Sequence, residues 1–244
     1  MAFDKDKAGQ EPPVAAVDWV EVREFTVGSV ERPITPKRKR AVRRARAVRV
    51  PKGGGGSRVY APCAYCAPAS VPVPPGISGP RLYEDENGQR LLCYIDAGGA
   101  ESVESAEGTG GAEGAEGDRR HHVRDGNGEI IGTIRRIAPS KRMFKHTWRI
   151  DQPGHPEIVG RNQWASGDAR DIAGRGAGKF ISGLMDSLAS LDADSGDQAE
   201  RKARTLEWRA DGELVMTSQG KTCTITADWL DRRLAFAFVL LGDR

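Results

Sequence analysis

The sequence has few of the features that mark a membrane-spanning or secreted protein. Cysteine occurs only four times in 244 residues, which argues against the disulfide framework of small secreted domains. No window approaches the ~20 apolar residues needed to cross a bilayer, and the first residues carry no apolar segment of a secretion signal. These absences predict a reduced, cytoplasmic protein without a transmembrane segment.

Known catalytic signatures are also missing. No Gly-x-Ser-x-Gly nucleophile elbow occurs, and the glycine-rich segment at 174–179 lacks the spacing of a phosphate-binding loop. The segment Asp125-Gly-Asn-Gly begins like a calcium loop, but Arg136 stands at the twelfth position, where that loop needs an acid. A hairpin turn explains the segment better. No catalytic residue and no cofactor is therefore predicted.

The nearest approach to a metal-binding motif is the pair Cys63 and Cys66. Their two-residue spacing is that of half a zinc site, because the intervening loop lets both thiolates reach one tetrahedral ion. No second pair stands nearby, so a complete site would have to recruit histidines or cysteines from distant segments. Two solvated thiols in a proline-rich linker are the simpler interpretation, and the pair is only a weak metal candidate.

A strong net charge is absent as well, but the charged residues are very unevenly placed. The net charge is +3, too small for the whole chain to have the electrostatic signature of a nucleic-acid binder. Residues 32–58 contain eleven Lys or Arg and no acid, whereas residues 96–118 contain seven acids and no base. The first segment is typical of a basic flexible arm and the second of a disordered loop.

Hairpin signals recur along the last two thirds of the chain. Short β-rich segments flank turn sequences that favour positive φ angles. These turns lie at Asn87-Gly88, Asp125 to Gly128, Pro153-Gly154 and Asp211-Gly212. They predict an all-antiparallel meander of strands.

The chain closes with an apolar run from Leu234 to Leu241. It is too short to span a bilayer and apolar all round, so it is predicted to be a helix buried in the protein's own interior. Its core side chains are Leu230, Leu234, Phe236, Phe238 and Leu241. The predicted fold is all-β with minor α: an antiparallel β-barrel of hairpin repeats enclosing a C-terminal hydrophobic helix, with one inserted amphipathic helix at 168–191.

Four segments resemble the tubby-like superfamily, particularly its LURP-one-related and phospholipid-scramblase-like branches. They are Leu82-Tyr-Glu-Asp-Glu-Asn-Gly, Val123-Arg-Asp-Gly-Asn-Gly-Glu-Ile-Ile-Gly-Thr-Ile-Arg-Arg, Leu206-Glu-Trp-Arg-Ala-Asp-Gly-Glu-Leu-Val and Asp228-Trp-Leu-Asp-Arg-Arg-Leu-Ala-Phe-Ala-Phe-Val-Leu-Leu. The resemblance covers residues 81–244. It implies a barrel threaded by the C-terminal helix and a function in binding membrane lipids or partner proteins. The phosphoinositide-contacting basic residues of the tubby branch have no matching positions here, so lipid specificity does not carry over.

The predicted domain organisation follows these patterns. Residues 1–31 are predicted as a docking strand or peptide, in which Trp19, Val22 and Phe25 are the partner-docking candidates. Residues 32–80 are predicted as a basic and then proline-rich flexible linker. Residues 81–244 form the tubby-like barrel domain, with a disordered acidic loop at 96–118 and a helical insertion at 168–191.

The favoured function is a non-catalytic binding or adaptor protein, tethered by its basic arm to anionic membrane lipid or to a protein partner. That would place it peripherally at the inner face of the membrane. The lipid- or phosphate-binding candidates are Lys37, Arg38, Lys39, Arg40, Arg43, Arg44, Arg46 and Arg49. One alternative is a nucleic-acid-associated protein acting through residues 32–58, and another is a metal-dependent enzyme. The basic arm also has the protein's own acidic loop as a competing partner.

Overall fold

The computed structural model describes residues 11–54, 57–97, 119–137, 147–162 and 204–242. Within these residues the strands are β1 (Glu24–Arg32), β2 (Val42–Lys52), β3 (Val59–Cys66), β4 (Arg81–Tyr83), β5 (Leu91–Ala97), β6 (Arg119–Asp125), β7 (Ile130–Ile137), β8 (Thr147–Asp151), β9 (Ile158–Asn162), β10 (Thr205–Ala210), β11 (Glu213–Gln219) and β12 (Thr222–Ile225). Each strand pairs antiparallel with the next, and β1 pairs with β12, so the sheet closes into a barrel.

The C-terminal helix α1 (Arg232–Leu241) supplies the centre of the core. Asp231 caps its start by accepting a hydrogen bond from the Arg233 backbone N–H at 2.9 Å. The side chains of Leu230, Leu234, Phe236 and Phe238 are buried, and Leu241 is half-buried against the same core. The prediction of a barrel around a C-terminal hydrophobic helix is confirmed.

The four predicted hairpin turns all lie between consecutive strands. At Asp211-Gly212 both residues have positive φ angles, 49° and 87°, as in the type I′ turn that matches strand twist. At the β6–β7 turn the Asp125 carboxylate accepts hydrogen bonds from the backbone N–H groups of Asn127 and Glu129. That carboxylate therefore organises a turn, as the sequence indicated.

The barrel begins much earlier in the chain than predicted. β2 and β3 lie within residues 32–80, so the prediction of a flexible linker over that whole segment, with a barrel starting at 81, is wrong. The reason is sheet closure. Without β1, β2 and β3, the strands β4 and β12 would be unpaired edges exposing a row of backbone N–H and C=O groups.

The presence of Pro62 in the middle of β3 has a local explanation. Proline cannot donate to a ladder and is tolerated in sheets at bulges and edges. Pro62 lies at a register shift, where Val48 pairs with Ala64 but Arg49 pairs with Pro62. Its carbonyl accepts a hydrogen bond from the Val17 N–H at 2.9 Å. The bulge thus lets the strand carry a proline and tie down the segment before β1.

Two of the three predicted partner-docking side chains, Val22 and Phe25, are part of the core. Phe25 belongs to β1 and is fully buried, and Val22 is 3% exposed. Trp19 packs against the same core and lies 5.3 Å from the Arg233 guanidinium. The prediction that Val22 and Phe25 dock a partner is therefore wrong, since their side chains already fill the barrel.

The meander places alternate connections at opposite ends of the barrel. The β1–β2 connection at 33–41 and the β3–β4 connection at 67–80 share one end, here called the long-connection end. Except for Asp96 and Ala97, which end β5, the predicted acidic loop at 96–118 lies outside the described residues, as does the predicted helix at 168–191. No helix in the described ranges is long and apolar enough to span a membrane.

Candidate anion-binding surface

Eight Lys or Arg and no acid lie within residues 32–46, here called the basic hairpin. It consists of the end of β1, the 33–41 connection and the start of β2. Thr35 and Arg38 form a two-residue bridge within the connection, each donating its N–H to the other's carbonyl at 2.9 Å. This hydrogen-bonded turn and the strand ends on either side of it therefore hold the cations that were predicted to lie on a flexible arm.

Five of the predicted phosphate-binding side chains are exposed on this hairpin. They are Lys37, Lys39, Arg40, Arg43 and Arg46. Among the residues that the structure describes, no carboxylate forms an ion pair with them. Arg43 donates a long hydrogen bond, 3.4 Å, to the Ser29 hydroxyl. Cations held in one place without acidic partners attract an anionic surface.

Two other predicted members, Arg38 and Arg44, are occupied. Arg38 donates from Nε and Nη2 to the two carboxylate oxygens of Glu11, both at 3.0 Å. Arg44 donates from Nη2 to the Glu11 backbone carbonyl at 2.7 Å. The Arg38 guanidinium lowers the pKa of the Glu11 carboxyl through this hydrogen bond. The acids that partner the hairpin thus come from residues before it in the chain.

The prediction that Arg49 binds phosphate is wrong. Its side chain is only 1% exposed and donates to the backbone carbonyls of Gly28, Tyr60 and Ala45 at 3.1, 3.1 and 2.7 Å. Burial lowers the pKa of Arg49, and the nearby Glu31 carboxylate, 3.9 Å away, counteracts that shift. A buried charge survives only with such partners. Arg49 therefore stabilises the β1–β3 wall instead of facing a ligand.

Two exposed apolar side chains lie at the long-connection end, the same end of the barrel as the basic hairpin. Ile34, in the same 33–41 connection, is 54% exposed, and Val73, in the 67–80 connection at the same barrel end, is 61% exposed. Sequence reasoning did not select either residue, because a single aliphatic residue in a proline-containing segment carries no signal by itself. The fold places both residues at the long-connection end, where the basic hairpin also lies.

The two weak metal candidates lie on a strand of the barrel instead of in a linker. The Cys63 thiol donates to the Val48 carbonyl at 3.4 Å, and burial raises its pKa to about 12. Burial also raises the pKa of Cys66. The described ranges contain no cluster of three or more His, Cys, Asp or Glu side chains suited to a metal ion.

A second surface feature is a groove of about 420 Å³ on β9 and β10. Its lining carries three acids, Glu157, Glu207 and Asp211, and two arginines, Arg161 and Arg209. Arg209 pairs with Glu207 at 3.3 Å, and Glu157 pairs with Arg149, which lies outside the lining, at 2.8 Å. Unlike the basic hairpin, this groove therefore mixes charges of both signs. It is therefore a weaker candidate for binding a charged ligand.

Comparison with known proteins adds no identification. No family model, curated protein or solved structure matches this chain. The resemblance to the tubby-like superfamily therefore stays a prediction. Because one fold can host many unrelated functions, the barrel does not specify what the protein binds. The exposed charges of the basic hairpin are the stronger guide.

Proposed function

We propose that this protein is a non-catalytic binding module that docks on an anionic membrane surface through its basic hairpin. The observation that carries the proposal is the set of five exposed cations, without acidic partners in the described chain, next to the exposed side chain of Ile34. Docking would bring the long-connection end of the barrel to the lipid headgroups. The location would be the surface of the membrane, with no segment crossing it.

The energetics favour a moderate, salt-sensitive association. Each cation near an anionic leaflet contributes about 1 kcal/mol, so five give an upper limit of roughly 5 kcal/mol before screening by salt. Burying the Ile34 side chain among the headgroups adds about 1.5–3 kcal/mol at most. Neither contribution alone anchors a protein, but together they suit reversible peripheral binding.

The exposed aliphatic side chains favour lipid over nucleic acid. The basic hairpin contains no aromatic residue on which bases could stack. An exposed isoleucine gains nothing from contact with the phosphates of a nucleic acid. At a membrane interface, by contrast, an apolar side chain among cations can insert between the lipid headgroups. A binding module also suits a barrel whose centre is filled by α1, with Phe236 and Phe238 buried.

Vesicle flotation tests the proposal. The triple variant Lys37→Glu/Lys39→Glu/Arg40→Glu is compared with Lys52→Glu/Arg90→Glu/Arg209→Glu, which makes the same charge change at exposed sites outside the hairpin. We expect wild type to float with phosphatidylserine vesicles and not with neutral phosphatidylcholine vesicles, and only the first variant to lose binding. Equal loss in both variants, or no wild-type flotation at low salt, contradicts the proposal.

Competition separates the nucleic-acid alternative. Short duplex DNA is added to protein already bound to phosphatidylserine vesicles. Lipid docking predicts that DNA at equal phosphate concentration leaves most of the protein on the vesicles. Complete displacement, together with a gel shift of the duplex, would assign the hairpin to nucleic acid instead.

A further inference from the structure

Glu11 occupies a clamp of three arginines, Arg32, Arg38 and Arg44, here called the arginine clamp. Beyond the two-pronged contact with Arg38, the Glu11 carboxylate forms an ion pair with Arg32 Nε at 3.0 Å. The backbone adds two contacts, because Arg44 donates to the Glu11 carbonyl and Arg32 to the Pro12 carbonyl, at 2.7 and 2.9 Å. Five contacts thus hold one short segment on the hairpin.

A buried acid, Glu31, lies beside the arginine clamp and neutralises only part of its positive charge. Glu31 is 2% exposed, and its Oε1 lies 3.9 Å from Arg32 Nε and 3.8 Å from Arg44 Nε. These distances exceed a hydrogen bond, and Oε1 has no hydrogen-bond partner in the described chain. Glu31 also lies 3.9 Å from the buried Arg49, so it neutralises at most one of the three clamp charges, and it saturates neither guanidinium. The Glu11 carboxylate neutralises a second, which leaves at least one charge unbalanced.

A phosphate group would match this clamp better than a carboxylate does. A phosphomonoester carries about −1.5 to −2 charges at pH 7 and three acceptor oxygens. Planar guanidinium forks recognise such oxygens in pairs. Once Glu11 has left, about two clamp charges remain. The two charges and three oxygens of the phosphate match these charges and the three guanidinium groups, whereas Glu11 brings one charge and two oxygens.

We propose that the arginine clamp is a phosphomonoester-binding site and that Glu11 is a tethered occupant which the phosphate displaces. The inference rests on the proposed function only in taking the phosphate to be a lipid headgroup; the clamp's affinity for a phosphate in solution is independent of it. Displacement frees the segment before β1 from the hairpin. Because the phosphate has to displace Glu11, the carboxylate lowers the apparent affinity of the clamp for phosphate.

Tethering makes the competition strong. A group attached by a short chain segment acts at an effective concentration of the order of millimolar. Removing the Glu11 carboxylate is therefore expected to tighten phosphate binding about tenfold. The variant Glu11→Gln removes the charge while keeping the size of the side chain, and Glu86→Gln makes the same change at an exposed glutamate in the β4–β5 turn.

The test is calorimetric titration of the full chain with inorganic pyrophosphate, whose terminal groups stand in for a phosphomonoester. We expect Glu11→Gln to lower the dissociation constant about tenfold and Glu86→Gln to leave it unchanged. Adding Arg38→Lys to Glu11→Gln should reverse the gain, because lysine keeps the charge and lacks the fork. Equal affinities of wild type and Glu11→Gln, or no binding by either, overturn the inference.

Vesicles containing phosphatidic acid, a phosphomonoester lipid, identify the source of the phosphate. Tighter pyrophosphate binding by Glu11→Gln without flotation of any variant supports the clamp and contradicts the proposed membrane function. Flotation that depends on Lys37, Lys39 and Arg40, with equal pyrophosphate affinity in wild type and Glu11→Gln, supports the membrane function and overturns the clamp. The two proposals therefore fail separately.

Discussion

Phe25 of β1 and Phe236 of α1 meet edge to face, with ring centroids 4.8 Å apart and planes inclined at 87°. The contact joins the first strand of the barrel to the helix that ends the described chain. An edge-to-face pair adds about 0.5–1.5 kcal/mol beyond the area it buries. Residues before 81 are thus part of the same folding unit as the helix.

Replacing Phe25 with Ala should destabilise the whole barrel. A buried phenylalanine truncated to alanine costs about 3–5 kcal/mol. Urea unfolding followed by tryptophan fluorescence measures the change in the free energy of unfolding. The control Val20→Ala, at a side chain that is 53% exposed, should change it by about 0.5 kcal/mol or less. A fragment of residues 81–244 that folds cooperatively by itself would contradict this account.

Arg49 and Arg46 should respond differently to the same substitution. Arg49→Lys removes donors to backbone carbonyls in a buried site, and each unsatisfied group costs about 1–3 kcal/mol. Arg46→Lys changes an exposed side chain and should have almost no effect on thermal stability. Equal melting temperatures for the two variants would show that the carbonyl contacts of Arg49 do not stabilise the wall.

Gly132 is a point of close approach between β7 and α1. A Cβ atom there would lie 2.8 Å from Leu234 Cδ2 and 2.7 Å from the Asp151 carbonyl oxygen. Gly132→Ala should therefore lower stability by about 1–3 kcal/mol through overpacking. Gly28→Ala is the matched control, since a Cβ atom at Gly28 would meet nothing within 4 Å. Differential scanning calorimetry distinguishes the two, and a Gly132→Ala protein as stable as wild type would refute the predicted steric conflict.

The buried thiols should resist alkylation in the folded protein. Burial raises the pKa values of Cys63 and Cys93 to about 12, and that of Cys223 also rises. Because the thiolate is the nucleophile, iodoacetamide at pH 8 should label these cysteines only after unfolding. Mass spectrometry with and without guanidinium chloride measures the labelling. Rapid modification of Cys93 under native conditions would contradict its placement in the core.

The Glu11 contact should depend on pH in a defined direction. The hydrogen bond from Arg38 lowers the pKa of Glu11 in the folded state. Its contribution is therefore fully present above the usual glutamate pKa and is lost as the pH falls through the lowered value. The protection factor of the Val17 amide, which donates to the Pro62 carbonyl, should be high at neutral pH and should fall in acid below the normal glutamate range. Equal protection in Glu11→Gln and wild type at pH 7 would show that the Glu11 carboxylate does not hold this segment on the arginine clamp.

Local turn chemistry explains why the hairpins from Arg81 onward were predictable. Two residues, Asp211-Gly212 or Asn87-Gly88, are enough to identify a hairpin turn. The Leu234–Leu241 run is apolar on every side, so it has to be buried. β2 is different. Its eleven residues include four arginines, so charge density outweighed the apolar pattern of Val42, Val48 and Val50.

The candidate site was only partly visible in the sequence. The cations of the hairpin are contiguous, so their clustering could be read directly. Their sorting into exposed, clamped and buried groups depends on Glu11 and Glu31, which lie outside the acid-free segment. Pairing of β1 with β2 brings Glu31 to the arginines, and Glu11 reaches them from the segment before β1, which a hydrogen bond from Val17 ties to β3. No local sequence pattern encodes either approach. The same holds for Ile34, whose exposure follows only from the turn around Thr35 and Arg38.

The central claim is that the basic hairpin binds an anionic membrane surface. Its most direct test is co-sedimentation of the full chain with phosphatidylserine vesicles across a salt series, for wild type and Lys37→Glu/Lys39→Glu/Arg40→Glu. The Debye length falls from about 10 Å at 0.1 M salt to about 3 Å at 1 M. We predict wild-type binding that declines steeply over this range and a variant that does not bind at any salt concentration. Wild-type binding that is insensitive to salt, or a variant that binds as wild type does, would contradict the claim.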